Sequence, residues 1–250
     1  MIEKFSCRRD DLTIRGHVYR AKEGKLPAVV LCHGFLANDR TLRVYAHALA
    51  ELGYVCYTFD FNGGGVRCRS DGKSRDMTVF TELEDLRSVM NYVKKQPGVD
   101  KAHISLLGCS QGGLVSAMYA KRQPDAVEKL VLFYPALCIP DDARAGRMMF
   151  ARFDPKKIPD TILYFPMRLG RDYAKSVIKT DVYKEIGGFD GPVMLIHGTA
   201  DKVVNISYSE KAATLYPNCL YHRVADGQHG FRGKHDREAV QVLQDFMKLN

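Results

Sequence analysis

A serine lies between two glycines in the segment Gly108-Cys109-Ser110-Gln111-Gly112, which has the pattern Gly-x-Ser-x-Gly. The segment follows an apolar run typical of a buried strand and precedes a run typical of a helix, the context in which this pattern forms a sharp turn. Small residues at Gly108 and Gly112 let the strand and the helix approach closely, and the turn exposes the Ser110 hydroxyl. The helix start also aims backbone N–H groups at developing negative charge. The pattern therefore predicts Ser110 as a nucleophile.

A serine hydroxyl needs a base that takes its proton and an acid that orients this base. Of the eight histidines, His229 is the predicted base because it lies in a polar loop after the last predicted strand. A base in such a loop can reach over the edge of a sheet. His197 ends a predicted buried strand and His103 begins one, so structural roles are expected for both.

The orienting acid is expected in a loop that follows a strand, and Asp201 meets this condition. Asp190 and Asp226 are the alternatives. Asp190 precedes its strand, at the wrong end of a parallel sheet, and Asp226 is too close in sequence to His229 to be favoured. The buried carboxylate would hold the imidazole in one tautomer and stabilise its charged form.

The carbonyl oxygen of an attacked ester becomes negative and needs two N–H donors, an oxyanion hole. The amide of Gln111, directly after the nucleophile, is the first predicted donor. The second is expected in the His-Gly-Phe-Leu loop that follows the strand pattern at residues 26–32. Gly34 allows a sharp turn there, and the amide of Phe35 is the predicted donor.

The elements that must hold these residues alternate between strand and helix patterns. Short apolar runs predict strands at residues 13–20, 26–32, 54–59, 103–107, 130–134, 193–197 and 220–224. Amphipathic periodicity predicts helices at residues 38–52, 78–95, 112–122 and 207–216, and from about residue 236. Such an alternation favours an α/β fold with a mostly parallel central sheet and helices on both faces.

The alternation breaks between residues 136 and 190, a stretch that contains several prolines and aromatic residues. It is too long for an ordinary connection and too apolar for a disordered linker, so an inserted cap is predicted here. Residues 1–250 are therefore predicted to form a single domain, with residues 136–190 as its cap subdomain.

Composition and charge exclude several classes of protein. The chain has 250 residues, of which 46% are hydrophobic and 26% charged, which argues against intrinsic disorder and coiled coil. Its net charge is +8, yet the basic residues are scattered and accompany no groove-reading motif, so nucleic-acid binding is not expected. No apolar run reaches the roughly 18–20 residues of a membrane span, and the first residues contain no apolar signal core.

The seven cysteines include no C-x-x-C pair, so reduced thiols in a cytoplasmic protein are expected. Cys109 as a thiol nucleophile is disfavoured because it lies outside the apex of the predicted turn. No metal site is expected, because His229, His235 and Asp236 lack the spacing of H-E-x-x-H. The glycines at 63–65 match no phosphate-binding motif and are predicted to form a turn.

Over essentially its whole length, the chain resembles the α/β-hydrolase family. The resemblance rests on four segments: His33-Gly34-Phe35, Gly108-Cys109-Ser110-Gln111-Gly112-Gly113, Ile196-His197-Gly198-Thr199-Ala200-Asp201 and Gly227-Gln228-His229-Gly230-Phe231. The order Ser110, Asp201, His229 is the one expected for this family. More narrowly, the chain looks like the small bacterial feruloyl (cinnamoyl) esterases, both in these segments and in the length of its cap.

In those esterases the cap shapes a pocket for a hydroxycinnamoyl ring, and an Asp and a Tyr of the cap hold the phenolic hydroxyl. The resemblance implies that the corresponding residues here are Asp142, or its neighbour Asp141, and Tyr173. The chain departs from the family at Cys109, where a histidine is frequent, and in the glycine-rich loop at residues 61–70. Both departures are expected to bear on the pocket wall.

The resulting expectation is a cofactor-independent serine carboxylester hydrolase that works through an acyl-enzyme, with a hydroxycinnamoyl or similar small-molecule ester as its partner. Monoacylglycerols, acyl thioesters and short peptides are alternative substrates, and a non-catalytic ligand-binding protein of the same fold is the alternative from another class. The sequence leaves a homodimer open. The basic stretch at residues 67–75 is a candidate border of the active-site mouth.

Overall fold

A single central sheet dominates the computed structural model, which describes residues 1–248. Within these residues the sheet has eight strands: β1 (Ile2–Arg9), β2 (Leu12–Tyr19), β3 (Leu26–Cys32), β4 (Val55–Phe59), β5 (Val99–Cys109), β6 (Leu130–Phe133), β7 (Val193–Gly198) and β8 (Cys219–Val224). Their order across the sheet is β1-β2-β4-β3-β5-β6-β7-β8.

The sheet is mostly parallel, as the alternation of strand and helix patterns predicts. Strands β3 to β8 pair in parallel, while β1 and β2 form an antiparallel hairpin that joins the sheet beside β4. Strands β4, β6 and β7 are buried along their whole length, which is why they read as continuous apolar runs. Strand β1 has no counterpart in the sequence prediction, because its side chains are mostly exposed and its apolar alternation is weak.

Helices cover both faces of the sheet. The helices are α1 (Arg43–Glu51), α2 (Val79–Val93), α3 (Gln111–Arg122), α4 (Ile139–Arg144), α5 (Arg171–Val177), α6 (Val182–Ile186), α7 (Ser207–Ala213) and α8 (Lys234–Lys248). Helices α1 and α8 pack in one apolar cluster, and α2 and α3 belong to the cluster on the other face. The helix predicted at residues 38–52 is in fact a 3₁₀ turn followed by α1. Among residues 1–248, no helix combines the length and the apolarity that crossing a membrane requires.

The stretch predicted as a cap, called the cap segment below (residues 136–190), joins β6 to β7. It contains α4, α5, α6 and two short antiparallel ribbons, formed by residues 147–148 with 151–152 and by residues 161–163 with 169–170. Helix α4 packs against α5, and α6 packs against α3, one of the helices that cover the sheet. That this segment behaves as a cap subdomain stays a prediction.

Candidate active site

Ser110 occupies the sharp turn between β5 and α3. Its backbone has φ of +53° and ψ of −120°, a conformation that side-chain-bearing residues rarely adopt. The flanking glycines permit this turn, because a Cβ on Gly108 would lie 2.3 Å from the carbonyl oxygen of Gly112. A Cβ on Gly112 would in turn lie 2.4 Å from the carbonyl oxygen of Cys32 at the end of β3. The strained turn therefore depends on a strand–helix contact that only glycine allows.

The predicted nucleophile, base and acid form one hydrogen-bonded chain. Ser110 Oγ lies 2.9 Å from Nε2 of His229, and Nδ1 of His229 lies 2.8 Å from Oδ2 of Asp201. Because a carboxylate can only accept, Nδ1 carries the proton and Nε2 is free to accept the serine hydroxyl. The ring of Tyr134 packs on the imidazole of His229 with 4.7 Å between ring centroids.

The Asp201 carboxylate is buried and fully engaged. Its Oδ1 accepts the backbone amides of Val203 and Val204 at 2.8 and 2.9 Å. Burial alone would raise the pKa of Asp201, but the hydrogen bonds from His197, His229 and the Val204 amide hold this pKa well below its usual range. The carboxylate therefore stays charged beside His229 across the neutral pH range.

Sequence reasoning gave His197 only a structural role, yet it contacts the predicted acid. Its Nε2 lies 3.1 Å from Oδ2 of Asp201 and 3.0 Å from the carbonyl oxygen of Val204, while its Nδ1 lies 2.6 Å from Oγ of Ser209. Since the Val204 carbonyl can only accept, Nε2 carries the proton. The signal in the sequence was a histidine at the end of a buried strand, four residues before the predicted acid. The rival acids Asp190 and Asp226 make no contact with His229 in the described part of the chain.

The two residues that carry the predicted oxyanion donors line the same cavity as Ser110. Gln111 is the first residue of α3, and within residues 1–248 neither its amide nor that of Phe35 donates to a protein acceptor. His33 shapes the Phe35 loop: its Nδ1 donates to the carbonyl of Gly34 at 2.8 Å, and its Nε2 accepts the amide of Phe61 at 3.2 Å. Burial lowers the pKa of His33, so the ring is neutral, as this pair of bonds requires.

Two cavities in the described structure meet at Ser110 and Phe35. Cavity 1 has a volume of about 670 Å³ and lies beneath the cap segment. Its wall includes Gln111, Ala136, Cys138, Ile139, Asp142, Arg147, Met148, Met149, Phe150, Tyr173, Lys202, Val203 and Tyr208. Cavity 2 has a volume of about 450 Å³, and His229 lines it, together with Thr41, Tyr45, Cys109, Tyr134, Arg232 and Asp236.

The two residues of the cap segment that the resemblance implies both line cavity 1, but their polar groups have different partners. The carboxylate of Asp142 is ion-paired with Arg147, whose Nε lies 3.0 Å away. The hydroxyl of Tyr173 is buried and donates to the side-chain oxygen of Gln111. Asp141, the alternative to Asp142, lies outside the cavity wall and accepts from Tyr208 at 2.7 Å.

Three further expectations concerned the pocket wall. Cys109 lines cavity 2, and burial raises the pKa of its thiol to about 12, which leaves it uncharged at neutral pH. The loop at residues 61–70 and the basic stretch at residues 67–75 line neither cavity, although Gly65 pairs with Leu36 in the wall of cavity 2. That they border the active-site mouth stays a prediction. Arg69 instead turns inward, with Nη2 2.8 Å from a carboxylate oxygen of Asp39.

One group of three potential metal ligands lies close together within residues 1–248: His33, Asp60 and Cys68. Both ring nitrogens of His33 are engaged with backbone groups. Asp60 accepts two backbone amides, at 2.8 and 2.7 Å, one on each carboxylate oxygen. His33 therefore offers no free lone pair to a metal, whereas Asp60 keeps further acceptor sites.

The sheet order, the turn at Ser110 and the hydrogen-bonded chain behind it define the protein as an α/β-hydrolase. The chain belongs to the Hydrolase_4 family (serine aminopeptidase, S33), whose sequence profile matches residues 25–181. The resemblance to feruloyl esterases agrees with the structure of Est1E from Butyrivibrio proteoclasticus with ferulic acid bound. That structure superposes with a TM-score of 0.90 at 27% identity and covers 97% of both chains.

Two relatives by sequence match part of the chain or match it at lower identity. An uncharacterized 31.7 kDa protein of Escherichia coli is 32% identical over 52% of this chain, and the match spans 45% of that protein's length. The monoacylglycerol lipase abhd6-A of Xenopus laevis is 23% identical over 91% of this chain and 77% of the lipase.

Proposed function

We propose that the protein is a cofactor-independent serine carboxylester hydrolase that works through an acyl-enzyme. The observation that carries the proposal is the unbroken chain from Asp201 through His229 to Ser110, whose hydroxyl faces both cavities. A strained serine, a base of fixed tautomer and two unpaired amides are the groups that acyl transfer needs.

In the first half of the reaction, Ser110 Oγ bonds to the ester carbonyl carbon and its proton passes to Nε2 of His229. The carbonyl oxygen becomes negative and accepts the amides of Phe35 and Gln111. Asp201 stabilises the imidazolium that forms, because its carboxylate is already charged and hydrogen-bonded to Nδ1.

The carbon–oxygen bond then breaks, and the leaving alcohol takes the proton from His229 Nε2. Of the two cavities, only cavity 2 has His229 in its wall, so the alcohol leaves on that side and the acyl group occupies cavity 1. Water enters from the alcohol side and attacks the acyl carbon while His229 takes its proton. Expulsion of Ser110 Oγ, reprotonated by His229, releases the carboxylic acid.

The acyl group that we propose is hydroxycinnamoyl. Cavity 1 offers an apolar wall that includes Ile139, Met148 and Phe150, and Asp142 retains acceptor sites for a phenolic hydroxyl beyond those used by Arg147. Tyr173 contributes its ring to the same wall. The ferulic acid in the related Est1E structure supports this assignment. A monoacylglycerol ester is the second candidate, supported by the similarity to abhd6-A and by the exposed Met149 and Phe150 on the wall of cavity 1.

Replacement of the nucleophile tests the reaction. Ser110→Ala should lower kcat on p-nitrophenyl acetate by about 10,000-fold or more. Ser105→Ala is the matched control, because Ser105 is buried on β5, the strand that leads to Ser110, and its hydroxyl has no hydrogen-bond partner in the described structure. A fluorophosphonate probe should label Ser110 in the folded protein. Activity that survives Ser110→Ala would refute Ser110 as the nucleophile, whereas no labelling of the folded wild-type protein would favour a non-catalytic binding protein.

Substitutions of the adjacent residues Asp142 and Asp141 test which acyl group the protein accepts. Asp142→Ala should raise KM for methyl ferulate by about tenfold or more, the value of a hydrogen bond to a charged group, and leave KM for p-nitrophenyl acetate nearly unchanged. Asp141→Ala is the control, because Asp141 does not line the cavity and its carboxylate is hydrogen-bonded to Tyr208. Equal losses on both esters in Asp142→Ala would refute the hydroxycinnamoyl assignment, and faster turnover of a monoacylglycerol would favour the second candidate.

A further inference from the structure

The side chain of Gln111 is held at both ends, although the proposed reaction uses only its backbone amide. Its Oε1 accepts the hydroxyl of Tyr173 from α5 of the cap segment, and its Nε2 points to the sulfur of Met77 at 3.7 Å. Gln111 is 1% exposed, so this anchoring takes place away from water.

Glu82 on α2 lies on the other side of the same amide. It is 1% exposed and close enough to the side chain of Gln111 for that group to lower its pKa. Its Oε2 has no hydrogen-bond partner within residues 1–248. Burial raises the pKa of Glu82 well above its usual range, and the charge of Asp85 adds to this effect. Burial without a charged partner in the described part of the chain therefore favours the neutral carboxylic acid form of this side chain.

Tyr173 also contacts the second oxyanion residue. Its ring lies 6.0 Å from the ring of Phe35, centroid to centroid. A single cap residue thus touches both residues whose amides would form the oxyanion hole, and Glu82 holds the far side of one of them. The line Tyr173–Gln111–Glu82 runs from the cap segment through the start of α3 to α2.

We propose that Glu82 and Tyr173 are positioning residues: they hold the side chain of Gln111 and thereby keep its backbone amide in the oxyanion hole. This inference rests on the proposed function. Glu82 acts as a neutral hydrogen-bond partner, and Tyr173 transmits the position of the cap segment to the reacting centre. The phenol of Tyr173 then acts on every ester and not only on those with a hydroxycinnamoyl ring. Loss of a whole oxyanion donor costs about 100- to 1,000-fold in kcat, so partial misplacement should cost about tenfold.

The test compares Tyr173→Phe, Glu82→Leu and Glu82→Gln on p-nitrophenyl acetate and methyl ferulate. Tyr173→Phe and Glu82→Leu should each lower kcat about tenfold on both esters, with KM for the acetate changed less than threefold. Glu82→Gln keeps a neutral hydrogen-bonding group of the same shape, so it should recover most of the activity that Glu82→Leu loses. Glu84→Leu is the matched control on α2, where the exposed Glu84 pairs with Arg87.

The outcomes separate this inference from the function it rests on. A Tyr173→Phe variant that raises KM for methyl ferulate alone would make Tyr173 a substrate clamp and overturn its positioning role. A Glu82→Gln variant as poor as Glu82→Leu would overturn the neutral role of Glu82, and Tyr173→Phe decides the case if Glu82→Leu fails to fold. Activity that survives Ser110→Ala would overturn both proposals together, whereas Ser110-dependent activity unaffected in all three variants would overturn only this one.

Discussion

Nε2 of His197 lies 3.1 Å from Oδ2 of Asp201, the same carboxylate oxygen that contacts Nδ1 of His229. His197 is completely buried, and Ser209 fixes its other ring nitrogen. The buried His197 therefore holds the carboxylate in place from the protein core, in addition to the contact that the carboxylate makes with His229. This second histidine supports the carboxylate independently of His229.

His197→Phe should lower kcat by about tenfold or more, because Asp201 loses a hydrogen bond worth about 1.5–3 kcal/mol to a charged group. The same change leaves the Ser209 hydroxyl without its partner, so the free energy of unfolding should also fall. Rates on p-nitrophenyl acetate and urea unfolding measure the two effects. His103→Phe is the control at an exposed histidine, and wild-type kcat in His197→Phe would contradict the supporting role.

Asp201→Asn should lower kcat by about 10,000-fold, because an amide at this position favours the wrong tautomer of His229. Asp226→Asn removes a carboxylate from the same loop as His229 and should leave kcat unchanged. The comparison uses initial rates at pH 7 and equal concentrations of folded protein. A loss below tenfold in Asp201→Asn would point to another orienting acid.

Stability should fall as pH rises from about 4 to about 6 through Asp85. Burial raises its pKa to about 6 from an ordinary value of 3.8, against the opposing effects of Arg9 and Asn62. Between these values the folded state binds more protons than the unfolded state, so the unfolding free energy decreases with rising pH. Asp85→Asn should flatten this decrease in urea unfolding series, whereas the exposed Asp76→Asn should not. A slope unchanged in Asp85→Asn would assign the decrease to other groups.

Gly108→Ala should destabilise the protein by about 1–3 kcal/mol or more, because the new Cβ would lie 2.3 Å from a backbone oxygen of Gly112. Gly98→Ala is the control, since its Cβ would meet its nearest atom at 3.5 Å. Thermal unfolding compares the two variants. Equal melting temperatures would show that the turn at Ser110 tolerates a wider separation of β5 and α3.

The predictable part of the site is the part that local pattern and strand order determine. Ser110 follows from a five-residue motif, and Asp201 and His229 follow from their place in loops after strands. Parallel strands bring their carboxyl ends to one edge of the sheet, so these loops must meet there. The same rules placed the Phe35 loop beside Ser110.

Other features depend on contacts between elements far apart in sequence, which no single segment encodes. Tyr173 was assigned to the substrate phenol, but its hydroxyl donates to Gln111, 62 residues earlier. Glu82 reads as one more polar position of an amphipathic helix, and its burial depends on how α2 packs. The basic stretch at residues 67–75 is a candidate border of the active-site mouth in sequence, and its Arg69 folds inward onto Asp39.

In the proposed reaction, the meeting of two cavities at Ser110 has a consequence for the fate of the acyl-enzyme. With the acyl group in cavity 1, cavity 2 and His229 are open to any small hydroxyl compound, and water is only one of them. An added alcohol competes for the same carbonyl and yields a new ester by alcoholysis. The ratio of acyl transfer to hydrolysis then depends on the wall of cavity 2. Changes at Thr41 or Arg232 would shift this ratio toward ester synthesis or toward hydrolysis.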